Sequence, residues 1–243
     1  MRKIKAVIFD LGNTLFKLGR EEDWDWVRIH REAMERVGYN VDTRQLQQVI
    51  LNIPKELMSK RGVLYGEIYH FHREILRYIL DRMGYKDISD DRLHDVTMSA
   101  RKVLIEVQSL NDDALPCLKR LSAWGLRLGV ISNAEGLTAI DCERLGLARY
   151  LEFVIDSAHV GVRKPDAMIF QIAISALHRN FENPLQPSDI VYVGNELESD
   201  ALAAKNAGMI GVWLNRDNKK VDPRVPTIHS LNDLDKLIFK LEF

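Results

Sequence analysis

Five short apolar runs recur along the chain: AVIF at 6–9, RLGVI at 127–131, FVI at 153–155, IVYV at 190–193 and IGVWL at 210–214. Each is bounded by polar or turn-forming residues, which reads as a strand buried on both faces, as in a parallel sheet. Stretches with helical spacing separate the runs, Asp113 to Trp124 and Ala201 to Ala207 among them. Strands alternating with helices predict an α/β fold around a parallel sheet, with ligands beyond the carboxyl ends of its strands.

Residues 20–108 have a different rhythm. The segments EDWDWVRIHREAMERVG, LYGEIYHFHREILRYILDRMG and SDDRLHDVTMSARKVLIEVQ carry apolar residues three and four apart, the spacing of amphipathic helices. Ser89 with Asp90 and Asp91 reads as a capped helix start, Gly84 as a helix end, and Pro54 as a break within the second helical segment. The predicted division is therefore 1–19 with 109–243 as an α/β core and 20–108 as an inserted all-helical subdomain. The polar stretch 215–226 is expected to be a loop before a last helix at 230–240.

Composition narrows the picture in three ways. With 243 residues, 46% of them hydrophobic, the chain can fill a large core or a core plus an insertion. A formal charge of -1 gives no electrostatic footprint for nucleic acid or an anionic membrane, so small molecules are the expected partners. The two cysteines, Cys117 and Cys142, lie in helix-like stretches and read as buried reduced thiols. The apolar run that ends at Asp10 is too short for a signal peptide, and no run reaches transmembrane length, so the cytoplasm is the default location. Nothing in the sequence sets the oligomeric state.

Chemistry-bearing residues follow the strands. Asp10 comes after the first, Ser132 and Asn133 after the second, Lys164 in GVRKPD after the third, and Asn195 and Asp200 in GNELESD after the fourth. Taken singly, each is more often a turn, cap or solvated residue. Collected on one sheet edge, they suit phosphoryl transfer. Asp10 is a candidate nucleophile, Ser132 and Lys164 are candidates to hold the transferring oxygens, and Asp10 with Asp200 supplies the two carboxylates that Mg²⁺ typically takes.

These motifs, FDLGNTL, ISN, GVRKPD and VGNELESDALAAKNAGM, resemble in order the four motifs of the haloacid dehalogenase-like hydrolase superfamily, with the helical insertion where its subclass I members carry a cap. The resemblance covers nearly the whole chain. It implies a Rossmann-like core, an aspartyl intermediate at Asp10, and Mg²⁺-dependent phosphatase activity on small phosphorylated metabolites. It also implies metal ligation by Asp10, the Gly12 carbonyl, Asn195 and Asp200. Thr14 and Asn133, in the first two motifs, are assigned to substrate, as are Arg61, His70 and Arg73 of the insertion.

Two positions depart from the family pattern. Gly12 stands where its phosphatases carry a second aspartate that serves as general acid and base, a function that typically contributes about 10² to 10⁴ in rate. Asn195 stands where an aspartate is usual, leaving one negative charge fewer at the metal. The main expectation is a phosphatase for leaving groups that need little protonation, such as acyl, aryl or sugar 1-phosphates, or one whose cap donates the proton. The alternatives are a 2-haloacid dehalogenase, against which Gly12 and Leu197 count, and a non-catalytic protein that binds a phosphorylated ligand. The survival of Asp10, Ser132, Lys164 and Asp200 together favours chemistry.

Overall fold

The computed structural model describes residues 4–17, 25–59, 68–106, 109–134, 136–178 and 185–242. The chain divides into two compact units, one formed by 1–18 with 109–243 and the other by 19–108.

Among the described residues of the first unit, eight strands form: β1 (Ala6–Phe9), β2 (Phe16–Lys17), β3 (Ser109–Leu110), β4 (Arg127–Ser132), β5 (Phe153–Asp156), β6 (Ile190–Gly194), β7 (Ile210–Leu214) and β8 (Thr227–Ile228). Six of them make a parallel sheet in the order β5-β4-β1-β6-β7-β8. Successive side chains of a strand point to opposite faces, and β1 shows the consequence. Val7 and Phe9 join a core with Cys117, Leu118 and Leu121 of the helix Ala114–Ala123 and with Leu234 and Ile238 of the helix Leu234–Glu242. Ala6 and Ile8 join the opposite core with Ile169, Phe170, Ala173 and Leu177 of the helix Ala167–His178. Both faces are thus covered, which is why the strands read as unbroken apolar runs.

The sheet is the Rossmann-like α/β arrangement, and three strands run one residue beyond their apolar runs, to Ser132, Asp156 and Gly194. The antiparallel pair Phe16↔Leu110 and Lys17↔Ser109 is new, because two-residue strands carry no readable period. Another departure lies at Leu197–Leu202, a π-helical turn that precedes the helix Ala203–Asn206; the sequence predicts an ordinary helix beginning at Ala201. Cys117 and Cys142 are free and buried, and burial pushes both thiols up to about 12.

The second unit holds five helices among its described residues: Trp26–Arg36, Thr43–Leu51, Lys55–Ser59, Ile68–Arg82 and Asp90–Glu106. Asp25, Asp42 and Ser89 each accept a hydrogen bond from a backbone N–H three residues on, satisfying donors that a helix start leaves orphaned. Gly84, at φ 94°, follows the fourth helix. The core uses Ile29, Ala33 and Met34 of the first helix, Ile75, Leu76, Ile79 and Leu80 of the fourth, and Leu93, Val96, Ala100 and Val103 of the fifth. Pro54 separates the second and third helices, neither of which is among the predicted segments. Leu46 is the one fully buried residue of Thr43–Leu51, so its apolar stripe is faint. Among the described residues, no helix is long and apolar enough to cross a membrane.

Candidate functional site

The strand order places β1 between β4 and β6, so the chain crosses to opposite sides of the sheet at β1, where α/β sheets offer a crevice at their carboxyl edge. Asp10 is the first residue past β1, and its backbone N–H donates to the Val193 carbonyl of β6 at 2.8 Å. Ser132 ends β4, is 7% exposed, and has no partner for its hydroxyl among the described residues. Lys164 follows β5, and Asp200 lies on the π-helical turn after β6.

Three of these side chains converge on one atom. The Lys164 ammonium, in a side chain 3% exposed, donates to Asp10 Oδ1 and to Asp200 Oδ1, both at 2.7 Å. It also reaches the Tyr192 hydroxyl at 2.9 Å and the Ile131 carbonyl at 3.2 Å. Burial disfavours the ammonium, yet Asp10 and Asp200 outweigh it and raise the Lys164 pKa, so the group stays charged. The Asp10 carboxyl is pushed up to about 6 by burial, and Asp200 raises it further while Lys164 opposes. Tyr192 is held protonated, far above the usual phenol range, by burial and by Asp200.

Asp200 reaches this point because of two glycines. A Cβ on Gly194 would lie 2.3 Å from Asp200 Cγ, and one on Gly211 would lie 1.8 Å from the Ala201 carbonyl oxygen. Only residues without a side chain let the wide turn pack down on β6 and β7. Inside the turn the Glu196 carbonyl accepts from the N–H groups of both Asp200 and Ala201, at 3.1 and 3.3 Å, and the Glu196 N–H donates to Asp200 Oδ2 at 3.0 Å. Burial, with Asp200 nearby, raises the pKa of the Glu196 carboxyl.

Several residues expected at substrate or metal have protein partners as well. Asn133 Nδ2 donates to the Lys164 carbonyl at 2.9 Å and its Oδ1 accepts from the Lys164 N–H at 2.8 Å, so this side chain fixes the lysine's backbone. Thr14 is fully buried, and its hydroxyl donates to Asn195 Oδ1 at 3.2 Å while accepting from the Asn195 N–H at 3.1 Å. Thr14 thereby ties the first motif to the fourth. Asn195 Nδ2 turns to Glu196 Oε1 at 3.0 Å. In the helical unit, Arg73 Nη2 pairs with Asp90 Oδ1 at 2.5 Å, where Arg77 joins it at 3.1 Å. His70 lies on the helix Ile68–Arg82, but its side chain falls outside the described residues, as Arg61 does entirely.

Gly12 is half-buried and keeps a φ outside the left-handed region; its neighbour Asn13 takes that conformation, at φ 57°. The backbone therefore does not demand a glycine at 12. What the sequence reading misses is Tyr192, hidden in the apolar run IVYV. The available signal is chemical: a buried phenol needs a partner for its hydroxyl, and a central strand's backbone is already paired.

Mg²⁺ suits this donor set in one specific way. Two carboxylates share one ammonium, so with both ionised the cluster carries one negative charge in excess. Among the described residues, no group of three or more His, Cys, Asp or Glu side chains could hold a metal ion. Two carboxylates fit an ion that takes one or two of them and completes its shell with backbone oxygen, water and phosphate.

Known proteins resemble this chain. A family model, haloacid dehalogenase-like hydrolase, matches residues 4–208. The chain is 27% identical over 243 residues to glyceraldehyde 3-phosphate phosphatase of Methanocaldococcus jannaschii, covering 97% of this chain and 96% of that one. It is 31% identical over 245 residues to haloacid dehalogenase-like hydrolase domain-containing protein 3 of Danio rerio, covering 98% and 97%. The crystal structure of 2-haloacid dehalogenase from Pseudomonas syringae pv. Tomato superimposes with a TM-score of 0.66 at 24% identity, covering 98% of this chain and 99% of that one. Phosphatase and dehalogenase names thus occur on one fold, and the fold by itself does not choose between them. The chain belongs to the haloacid dehalogenase-like hydrolases.

Proposed function

We propose that this hydrolase is a phosphatase of small phosphorylated metabolites, with Asp10 as its nucleophile. The observation that carries the reading is the buried contact of Asp10 and Asp200 with one ammonium at the carboxyl edge of the sheet. In the proposed reaction Asp10 attacks phosphorus and the bond from phosphorus to the leaving oxygen breaks. A water molecule then attacks the aspartyl phosphate, releasing phosphate and restoring the carboxylate. Ser132, with its unpartnered hydroxyl, donates to a phosphoryl oxygen. Asp10, Asp200 and the Gly12 carbonyl would hold Mg²⁺, with Asn195 contributing its amide oxygen, whose second lone pair is left by the Thr14 bond. The ion would neutralise charge on the transferring group.

Gly12 supplies no proton to the leaving oxygen, so aryl and acyl phosphates are the favoured substrates. The archaeal relative's name points to glyceraldehyde 3-phosphate, an alkyl ester whose alkoxide must be protonated to leave. The deciding experiment compares kcat/KM for p-nitrophenyl phosphate and glyceraldehyde 3-phosphate, with Mg²⁺, in the parent and in Gly12→Asp. Because the Gly12 backbone lies outside the left-handed region, its φ does not oppose an aspartate. Its gain should be larger for the alkyl ester, within the about 10² to 10⁴ that acid-base catalysis supplies. An equal gain for both substrates, or a parent that handles the alkyl ester as fast as the aryl one, would mean that another group donates the proton.

A further inference from the structure

A lysine ammonium has three hydrogens to donate. Four oxygens lie within hydrogen-bond reach of Lys164 Nζ: Asp10 Oδ1, Asp200 Oδ1, the Tyr192 hydroxyl and the Ile131 carbonyl, at 2.7, 2.7, 2.9 and 3.2 Å. All four belong to the protein, one more acceptor than the ammonium has hydrogens. Two of these acceptors are the carboxylates of the site and one is backbone. The fourth, Tyr192, is a side chain that approaches from the buried side of the sheet.

Its geometry is fully determined. Tyr192 is completely buried, and its ring meets Phe170 edge-on with centroids 5.2 Å apart. Its hydroxyl donates to Asp200 Oδ1 at 3.1 Å, so the same oxygen must accept from Lys164. Lys164, Tyr192 and Asp200 thereby close a triangle of hydrogen bonds behind Asp10. We propose that Tyr192 is a positioning residue, whose hydroxyl pins the Lys164 ammonium between Asp10 and Asp200 and so orients the nucleophile. The proposal rests on Asp10 being the nucleophile.

Without the hydroxyl, Asp200 Oδ1 loses a donor and the ammonium loses its contact on the Tyr192 side, keeping only Asp10, Asp200 and the longer Ile131 carbonyl, while the ring and its contact with Phe170 stay. Tyr192→Phe should therefore reduce kcat for p-nitrophenyl phosphate by about 10- to 100-fold, the range for hydrogen bonds to charged groups. KM and the inhibition constant of inorganic phosphate should stay within about twofold, since no substrate contact is removed. Phe170→Leu disturbs the same packing and leaves the hydroxyl in place, so it should lose stability and keep kcat. The proposal is overturned if folded Tyr192→Phe keeps its kcat, if KM rises in place of the kcat loss, or if Phe170→Leu loses as much.

A second measurement needs no turnover. In protein labelled with ¹⁵N at the lysine side chains, an ammonium held on three sides exchanges slowly and gives a resolved signal, assigned by its absence in Lys164→Arg. That signal should broaden or vanish in Tyr192→Phe, and its persistence unchanged would refute the pin. If the parent hydrolyses neither p-nitrophenyl phosphate nor acetyl phosphate, the phosphatase reading fails, and this signal still decides whether Tyr192 holds the lysine.

Discussion

Charge is handled in opposite ways in the two units. At the carboxyl edge of the sheet, Lys164 is 3% exposed and shares its ammonium between two carboxylates that are themselves buried. In the helical unit, Arg36 pairs with Glu106 through two bonds of 2.7 and 2.9 Å, yet the two side chains are 42% and 47% exposed. The distances are nearly the same and the surroundings are not. Water screens the second pair and is excluded from the first, so similar geometry carries very different energy. Against the burial that raises the Asp10 pKa, the buried ammonium lowers it, whereas the exposed pair links two helices at the surface.

The comparison breaks first at the nucleophile. Asp10→Asn should lower turnover of p-nitrophenyl phosphate by about four orders of magnitude or more, the scale seen when a nucleophile is removed. Intact-mass measurement after rapid quenching with acetyl phosphate should show a phosphoryl adduct on Asp10 in the parent and none in the variant. A variant that retains turnover would move the nucleophile elsewhere.

Next comes the lysine. Lys164→Met leaves Asp10 and Asp200 buried without their counter-charge, and breaking a buried ion pair costs about 3 to 5 kcal/mol. Urea unfolding of the variant should register that loss. A loss near zero would mean that the carboxylates take up protons or water at little expense, and the sheet edge would then resemble the helical surface after all.

Legibility in the sequence follows the same division between strong and weak local signals. The central strands were readable because burial on both faces leaves unbroken apolar runs, and Asp10, Ser132, Lys164 and Asp200 were readable because each follows such a run. The protein partners of Asn133 and Thr14 were not readable because a side chain's partner is a matter of three dimensions: Lys164 lies 31 residues from Asn133, and Asn195 lies 181 from Thr14. Tyr192 was invisible because it serves the core and the site at once. The π-helical turn was missed because its cause is external to it, in the missing side chains of Gly194 and Gly211.

A smaller effect belongs to His30 in the helical unit, which is 6% exposed and whose Nδ1 lies 2.7 Å from the Trp26 carbonyl. A carbonyl only accepts, so the neutral ring carries its hydrogen on Nδ1. Burial lowers the pKa of this imidazole below its usual 6.5, against the pull of that carbonyl. The unfolded chain therefore takes up the proton first as pH falls, and the stability His30 contributes is full above about 6.5 and is lost on acidification toward the lower folded value. Asp10 acts with the opposite sign, since its folded value of about 6 lies above 3.8 and protonation there favours the folded state. The measurement is thus a difference: thermal unfolding of parent and His30→Gln from pH 7.5 to 5.5, in which the parent should lose ground to the variant as pH falls. Parallel curves would remove His30 as the source.

The smallest effect is the sharpest check on the comparison, because it concerns a pair with better geometry than energy. Arg36 meets Glu106 in a two-pronged contact and also lies 3.8 Å from Glu32 one turn earlier. Bidentate geometry favours a strong interaction, whereas exposure near one half returns most of it to solvent screening. Screening should win. A double-mutant cycle of Arg36→Met and Glu106→Gln should give a coupling of about 1 kcal/mol or less. It should shrink further as ionic strength rises from about 0.05 to 0.5 M, where the Debye length falls to about 4 Å. Coupling of several kcal/mol that resists salt would show that the helical surface holds charge as tightly as the sheet edge does, and burial would no longer explain why Lys164 stands apart.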